Sequence, residues 1–283
     1  MKIFIDSASL KEIEEAYSYG ILDGVTTNPS LIKIAYEGMK ADGIKTSFED
    51  YIRRILLAAK GTPVSIEVTG FRYEDMVSQA KELFRKFNPV AKNVYIKIPV
   101  NPSLEGETGR EHEGLKAIRA LSGLGIPVNC TLIFTPEQAL MAAKAGASIV
   151  SPFAGRIDDY IRKNNKIPFE KTDYFPAEGL RTQKGLLEDN GIVSGADLVR
   201  KTVEIFRKYN VRTEVLAASI RNSRQARECA LAGADIATLP LDVIKAIISH
   251  YKTREGMRAF MNDTIPEYES LTNDRRGLLH SGS

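Results

Sequence analysis

A single (β/α)₈ barrel is the fold this sequence predicts, and three observations lead there. Short β-rich runs recur eight times along the 283 residues. The segments between them place apolar side chains at three- and four-residue spacing, as in Ala139, Ala142 and Ala143, or Leu198, Val199, Val203 and Phe206, which is the period of a helix with one buried face. A doubly wound open sheet would normally follow an early strand with a glycine-rich phosphate loop, and neither GxGxxG nor GxxxxGK[ST] occurs. Repeated βα units imply a parallel sheet, and eight of them favour closure into the TIM-barrel architecture.

Taken in order, the expected strands are 2–6, 24–28, 64–68, 94–98, 128–133, 148–153, 214–219 and 236–239. Ser7 is an expected N-cap for the first helix, and Ser9-Leu-Lys-Glu12 has capping-box spacing. Thr135-Pro136 opens another helix with proline at its first position. Gly146 and Gly233 each close a helical pattern just before the next strand, as a left-handed cap does. The interval from Ile157 to about Arg212 is too long for one helix and loop. Its charged stretch from Asp159 to Leu187, punctuated by Pro168, Pro176, Gly179 and Gly185, reads as an insertion between strands six and seven on the catalytic rim, with a plain surface excursion as the alternative. A smaller excursion, 101–109, follows the fourth strand. Residues 1–262 are therefore expected to form the barrel and 263–283 a C-terminal helical tail, with His280-Ser-Gly-Ser283 left out of the fold argument.

Composition narrows the function. With 43% hydrophobic and 27% charged residues the chain is ordinary for a globular protein with one large core. Its 39 basic and 36 acidic side chains are scattered, giving a net charge of +3, so neither nucleic acid nor membrane is an expected partner. Mild positive bias suits anionic small molecules. Cys130 and Cys229 are far apart and outside any metal spacing, as expected of structural thiols in a reducing compartment. The sequence starts directly on a strand pattern, and no stretch approaches membrane-spanning length, so a cytoplasmic location is expected. His112, His250 and His280 fall in polar or helical contexts, which argues against a histidine metal site.

The chemistry is signalled by Lys97, set in Asn93-Val-Tyr-Ile-Lys-Ile-Pro-Val100 between Ile96 and Ile98. Ammonium is costly to hold in apolar surroundings, and burial favours the neutral amine that attacks carbonyls; snorkelling to solvent, or pairing with a carboxylate, is the alternative. Strand parity supplies its company, because alternate positions share a side of the sheet. Phe4 and Asp6 pair in this way, as do Thr26 and Asn28, Ser65 and Glu67, Tyr95 and Lys97, Asn129 and Thr131, Ser151 and Phe153, and Ala217 and Ser219. The polar member comes late in nearly every strand, at the end where a barrel holds its active site. Singly, Asp6 or Asn28 could be a helix cap, Glu67 could simply pair with Lys97, and Thr131, Ser151 and Ser219 could be ordinary strand residues. Arg156 and Arg221, just beyond two strand ends, form a pair suited to a phosphate.

The stretches FIDSASLKEI, DGVTTNPSLI, VSIEV, VYIKIPV, NCTLIFTPEQALMAAKAGASIVSPFAGRIDD and EVLAASIRNSRQARECALAGADIATLPLDVI, which run from first strand to last, resemble the transaldolase family, in its small transaldolase and fructose-6-phosphate aldolase-like group. The resemblance implies a transferase of carbohydrate metabolism, in the pentose phosphate pathway, that moves a dihydroxyacetone unit between sugar phosphates. It implies a Schiff base on Lys97, proton transfer by Asp6, and a proton-shuttling water held by Glu67 and Thr131. Asn28, Asn129 and Ser151 would hold the dihydroxyacetone moiety beside Thr26, and Arg156, Ser219 and Arg221 the phosphate. No cofactor or metal is implied, and a homo-oligomer is expected. The aldolase branch typically has Gln and Tyr where this chain has Glu67 and Phe153, so these two resemble transaldolase, and Arg221 points the same way. Fructose-6-phosphate aldolase and a non-catalytic sugar-phosphate-binding barrel are the alternatives. The segment 160–195 and the loop after Val100 depart from the compact members.

Overall fold

Alternation along eight short strands decides the architecture, because each strand must bury both of its faces. The computed structural model describes residues 1–104, 106–183 and 185–273. Its strands are β1 (Lys2–Asp6), β2 (Gly24–Thr26), β3 (Val64–Glu67), β4 (Val94–Pro99), β5 (Val128–Ile133), β6 (Ile149–Pro152), β7 (Arg181–Thr182), β8 (Gly185–Leu186), β9 (Glu214–Ala217) and β10 (Ile236–Leu239). β1 to β6 are joined by β9 and β10 in one closed parallel barrel, and β7 pairs antiparallel with β8 outside it. The helices are α1 (Leu10–Ser18), α2 (Pro29–Ala41), α3 (Phe48–Ala58), α4 (Tyr73–Ala91), α5 (Glu113–Gly123), α6 (Pro136–Ala145), α7 (Ala154–Asn164), α8 (Gly195–Lys208), α9 (Ser223–Leu231), α10 (Leu241–Ile247), α11 (Tyr251–Asn262) and α12 (Pro266–Asn273). The eight barrel strands coincide with those read from the sequence, trimmed by a residue or two at some ends and, in β4, one residue longer.

One strand face packs on the helices. Ile5, Val25, Ile66, Ile96, Ile98, Cys130, Val150 and Leu239 belong to a large core with Ile13, Ile55, Leu56, Met76, Ile118 and Leu121 from the helices. Complete burial of each such aliphatic side chain stabilises by about 1.5–3 kcal/mol. The other face points into the barrel, where Phe4, Tyr95, Ile149, Leu216 and Ile236 make a separate apolar cluster. Gly24 is required beside it, since a Cβ there would lie 2.5 Å from the Phe4 ring.

Helix starts follow the local chemistry with one correction. Ser9, not Ser7, caps α1 by accepting from the Glu12 amide; Ser7 Oγ instead donates to the Glu12 carboxylate and accepts from the Ser9 amide. Thr135 and Gln138 form a full capping box at α6, and Gly146 ends that helix at φ 106°. Gly233 is left-handed just after α9.

The insertion begins earlier than its charged stretch suggests. α8, packed against both α6 and α9, is the barrel helix between β6 and β9, so α7 and residues 165–194 are the added part. It follows the C-terminal end of β6 and so lies on the rim where active sites form. It has a core of its own: Ile157, Ile161, Phe175, Leu187, Ile192 and Leu198. The Arg162 guanidinium lies 4.9 Å from the rings of both Phe169 and Phe175 and donates to the carbonyls of Asp173 and Tyr174. An amphipathic reading of polar sequence misses this core because half of its members come from outside the charged stretch.

The described residues from Lys245 onward form a second compact unit, distinct from 1–244. In it α11 buries no residue and exposes Tyr251, Met257, Phe260 and Met261. Residues 274–283, including His280-Ser-Gly-Ser283, lie outside the described residues. Among the described residues no helix is long and apolar enough to cross a membrane.

Candidate active site

Above the apolar plug the inward-facing positions turn polar. Register sets Glu67 beside Lys97 and Lys97 beside Asn129 on three adjacent strands. The Lys97 side chain is only 7% exposed, and its Nζ lies 3.1 Å from Glu67 Oε2 and donates to the Thr27 carbonyl at 3.0 Å. The sequence reading rests on the apolar flanks of Lys97, and the structure replaces that reason. Ile96 and Ile98 face the helices; the amine points the other way, toward a carboxylate and a carbonyl. A buried ion pair of this kind is specific and costly to break from one side.

Asp6 accepts from Thr26 Oγ1 at 2.8 Å, and that hydroxyl lies 2.5 Å from Thr238 Oγ1. Desolvation pushes the Asp6 carboxyl above the usual carboxylate range, opposed by Lys97, by the Thr26 hydrogen bond and by Arg221 and Arg156. On the opposite wall Ser151 Oγ donates to Asn129 Oδ1 at 2.6 Å, and Asn129 Nδ2 donates to Ser65 Oγ at 3.1 Å. Thr131 Oγ1 is buried without a hydrogen-bond partner, which leaves it free for a ligand or a water. Asn28 is the N-cap of α2, its Oδ1 accepting from the Leu31 amide, so its Nδ2 is the group left over.

The arginines occupy the rim. The Arg156 guanidinium lies 5.0 Å from the Phe153 ring, within cation–π range. Phe153 also packs on Phe134, with centroids 5.8 Å apart. Arg221 pairs with Asp159 at 3.2 Å, while its Nε is a buried donor with no partner. Desolvation lowers the Arg221 pKa, partly offset by Asp159 and reinforced by Arg156. Both arginines line one cavity of about 510 Å³ with Phe134, Asp159, Lys163 and Asp189. Gly155 makes the approach possible, because a Cβ there would sit 2.0 Å from the Ser219 carbonyl.

Parity is corrected on β9. Leu216 and Ala218 belong to the inner cluster, whereas Ala217 joins the helix-facing core. Ser219 does not continue the strand; its φ of 62° turns the backbone beyond the strand end. Leu132 likewise has φ 59° where the β5–β6 register shifts.

A family model described as Transaldolase/Fructose-6-phosphate aldolase matches residues 3–278. The chain belongs to the transaldolase/fructose-6-phosphate aldolase family. It is similar to a probable transaldolase of Chlorobium phaeobacteroides, 42% identical over 93% of this chain and 97% of that one. A probable transaldolase of Bacteroides fragilis is 41% identical over 93% and 97%, and one of Thermoplasma acidophilum 39% identical over 93% and 95%. The transaldolase/aldolase family works through a Schiff base, and this chain is an enzyme of that class.

Several residues around this transaldolase-type site are given no role by the sequence reading. Thr238 obeys the same late-strand parity rule as Asp6 and Thr26. Ser65 is in the parity set but buried as a support for Asn129. Thr27 acts through its carbonyl, which no side-chain pattern reveals. Asp158 accepts from the Gly195 amide and from Gln225 Nε2, each at 2.6 Å, and Gln225 Oε1 accepts from the Arg221 amide at 2.8 Å. Burial pushes the Asp158 carboxyl up to about 7. Cys130 and Cys229 are free and buried, and desolvation raises both thiols. Among the described residues no group of three or more His, Cys, Asp or Glu side chains is disposed to hold a metal.

Proposed function

We propose that this enzyme transfers a dihydroxyacetone unit between sugar phosphates through an imine on Lys97. The observation that carries the reading is the Lys97–Glu67 contact of 3.1 Å inside the barrel: the amine meets a carboxylate that can take its proton before it attacks a ketone. Nζ adds to the ketose carbonyl, and Glu67 with Thr131 moves protons through a water as the carbinolamine loses its hydroxyl. The unpaired Thr131 hydroxyl suits that water. Asp6 then takes the proton from the C4 hydroxyl, the C3–C4 bond breaks, and its electrons pass into the iminium to give an enamine. The aldose phosphate leaves, an acceptor aldehyde enters, and the steps reverse. Thr26 orients Asp6, Asn28, Asn129 and Ser151 hold the three-carbon unit, and Arg156, Ser219 and Arg221 hold the phosphate.

Phe153 supports transfer over net aldolysis, since its ring stands under Arg156 and offers no hydroxyl to protonate the enamine. Sedoheptulose 7-phosphate and glyceraldehyde 3-phosphate fit this chemistry as donor and acceptor, and a role in the pentose phosphate pathway, in the cytoplasm, is the reading we attach to it. The apolar side chains exposed on α11 support a homo-oligomer, and sedimentation of the full chain tests that. Borohydride reduction with fructose 6-phosphate should leave the sugar remnant on the peptide bearing Lys97, and no adduct under binding conditions sinks the reading. Turnover that ignores added erythrose 4-phosphate would favour the aldolase.

A further inference from the structure

Beside Asp6 two threonine hydroxyls form a chain that can run in one direction. Thr26 Oγ1 gives its proton to Asp6 Oδ1 at 2.8 Å, and a hydroxyl has only one proton to give. The proton in the 2.5 Å contact between Thr26 and Thr238 therefore belongs to Thr238. Both threonines are 2% exposed, and among the described residues Thr238 Oγ1 has Thr26 as its one hydrogen-bond partner. Reversing the chain would put a proton on Oδ1, turn Thr26 toward Thr238 and leave the Thr238 proton buried without an acceptor, which is unfavourable.

We infer that Thr238 is a positioning residue for the reaction. Through Thr26 it keeps Asp6 Oδ1 a permanent acceptor and leaves Oδ2 as the oxygen that takes and returns the substrate hydroxyl proton. This rests on the transfer reaction proposed above and adds which carboxylate oxygen works and what fixes the choice. The proton passes from the substrate C–OH to Oδ2 as the C–C electrons enter the iminium, and passes back when the acceptor aldehyde is joined. The charged groups facing Asp6 are Lys97 from β4, Arg156 from α7 and Arg221 beyond β9, and none of them is the hydrogen-bond partner of Thr238 Oγ1, which is Thr26.

The test compares Thr238→Val, which keeps the shape and removes the hydroxyl, with Thr238→Ser, which keeps the hydroxyl. Losing one hydrogen bond that orders a catalytic carboxylate should lower kcat roughly tenfold and change KM for fructose 6-phosphate less than about twofold. With one donor chain loosened, Asp6 holds its proton more tightly, so the acid limb of the pH–kcat profile should move up by about one pH unit. Thr238→Ser should recover most of kcat and the original limb. The borohydride adduct on Lys97 should persist in Thr238→Val, because imine formation uses Glu67 and Thr131. A Val variant with unchanged kcat and pH profile overturns the inference, as does a Ser variant that loses as much as Val, which would assign the effect to packing. If Thr238→Val does not fold, Thr238→Ala takes its place with the same readouts. Absence of the adduct in the unsubstituted enzyme strikes the transfer reaction itself, so the two failures are distinguishable.

Discussion

The two halves of the barrel mouth are built differently. Asp6, Glu67, Lys97, Asn129 and Ser151 stand on strands and hydrogen-bond or ion-pair within the lumen. Arg156 and Arg221 stand beyond strand ends, and their placement depends on α7 and on the Asp158–Gln225 link to the Arg221 backbone. Strand-borne groups are fixed by the same ladder that makes the barrel. Rim-borne groups are fixed by an added segment with its own small core, so the second half can loosen while the first stays intact.

Removing the amine breaks the first half outright. Lys97→Met should lower transfer activity by about four orders of magnitude or more with the fold retained, since no other group supplies the nucleophile; steady-state assay and circular dichroism check it. Arg221→Ala should break only the second half. Loss of charge-assisted hydrogen bonds should raise KM for phosphorylated ketoses roughly 10–100-fold, while trapping of unphosphorylated dihydroxyacetone on Lys97 stays near its original rate. Equal losses for both substrates would mean the halves are not separable.

Arg162→Ala probes the prop beneath the rim. The guanidinium is buried between two rings and satisfies two carbonyls, so thermal stability should fall by about 2 kcal/mol and protease cleavage within 165–194 should accelerate. The last test concerns pH and leaves the catalytic groups untouched. Asp158 at about 7 in the folded enzyme lies above its unfolded value of about 3.9, so folding favours its protonated form. That stabilisation is complete below pH ~4 and is lost as pH rises through about 7. Melting temperatures from pH 5 to 8 should decline more steeply in the unsubstituted enzyme than in Asp158→Asn, and parallel slopes would remove Asp158 as the cause.

Legibility in sequence follows the same division. Period-two alternation exposes Asp6, Glu67, Lys97, Asn129 and Ser151, because a strand leaves a side chain two choices of side. The same rule reaches Thr238, whose strand run Ile236-Ala-Thr-Leu239 shows it one position from the end. Ser219 defeats the rule, since its left-handed backbone abandons the alternation. Asp158 is invisible locally because its partners are 37 and 67 positions away. Lys97 was signalled by neighbours that turn out to face the helices, so the reason to be drawn from sequence is Glu67 on the adjoining strand.

The aromatic and aliphatic plug of Phe4, Tyr95, Ile149, Leu216 and Ile236, with Gly24 making room for the Phe4 ring, has a kinetic corollary. With the base filled, both aldoses use the mouth above Lys97, and the enamine held on that lysine makes the first depart before the second reacts. Double-reciprocal plots against donor at several acceptor concentrations should therefore be parallel lines, the signature of a ping-pong sequence.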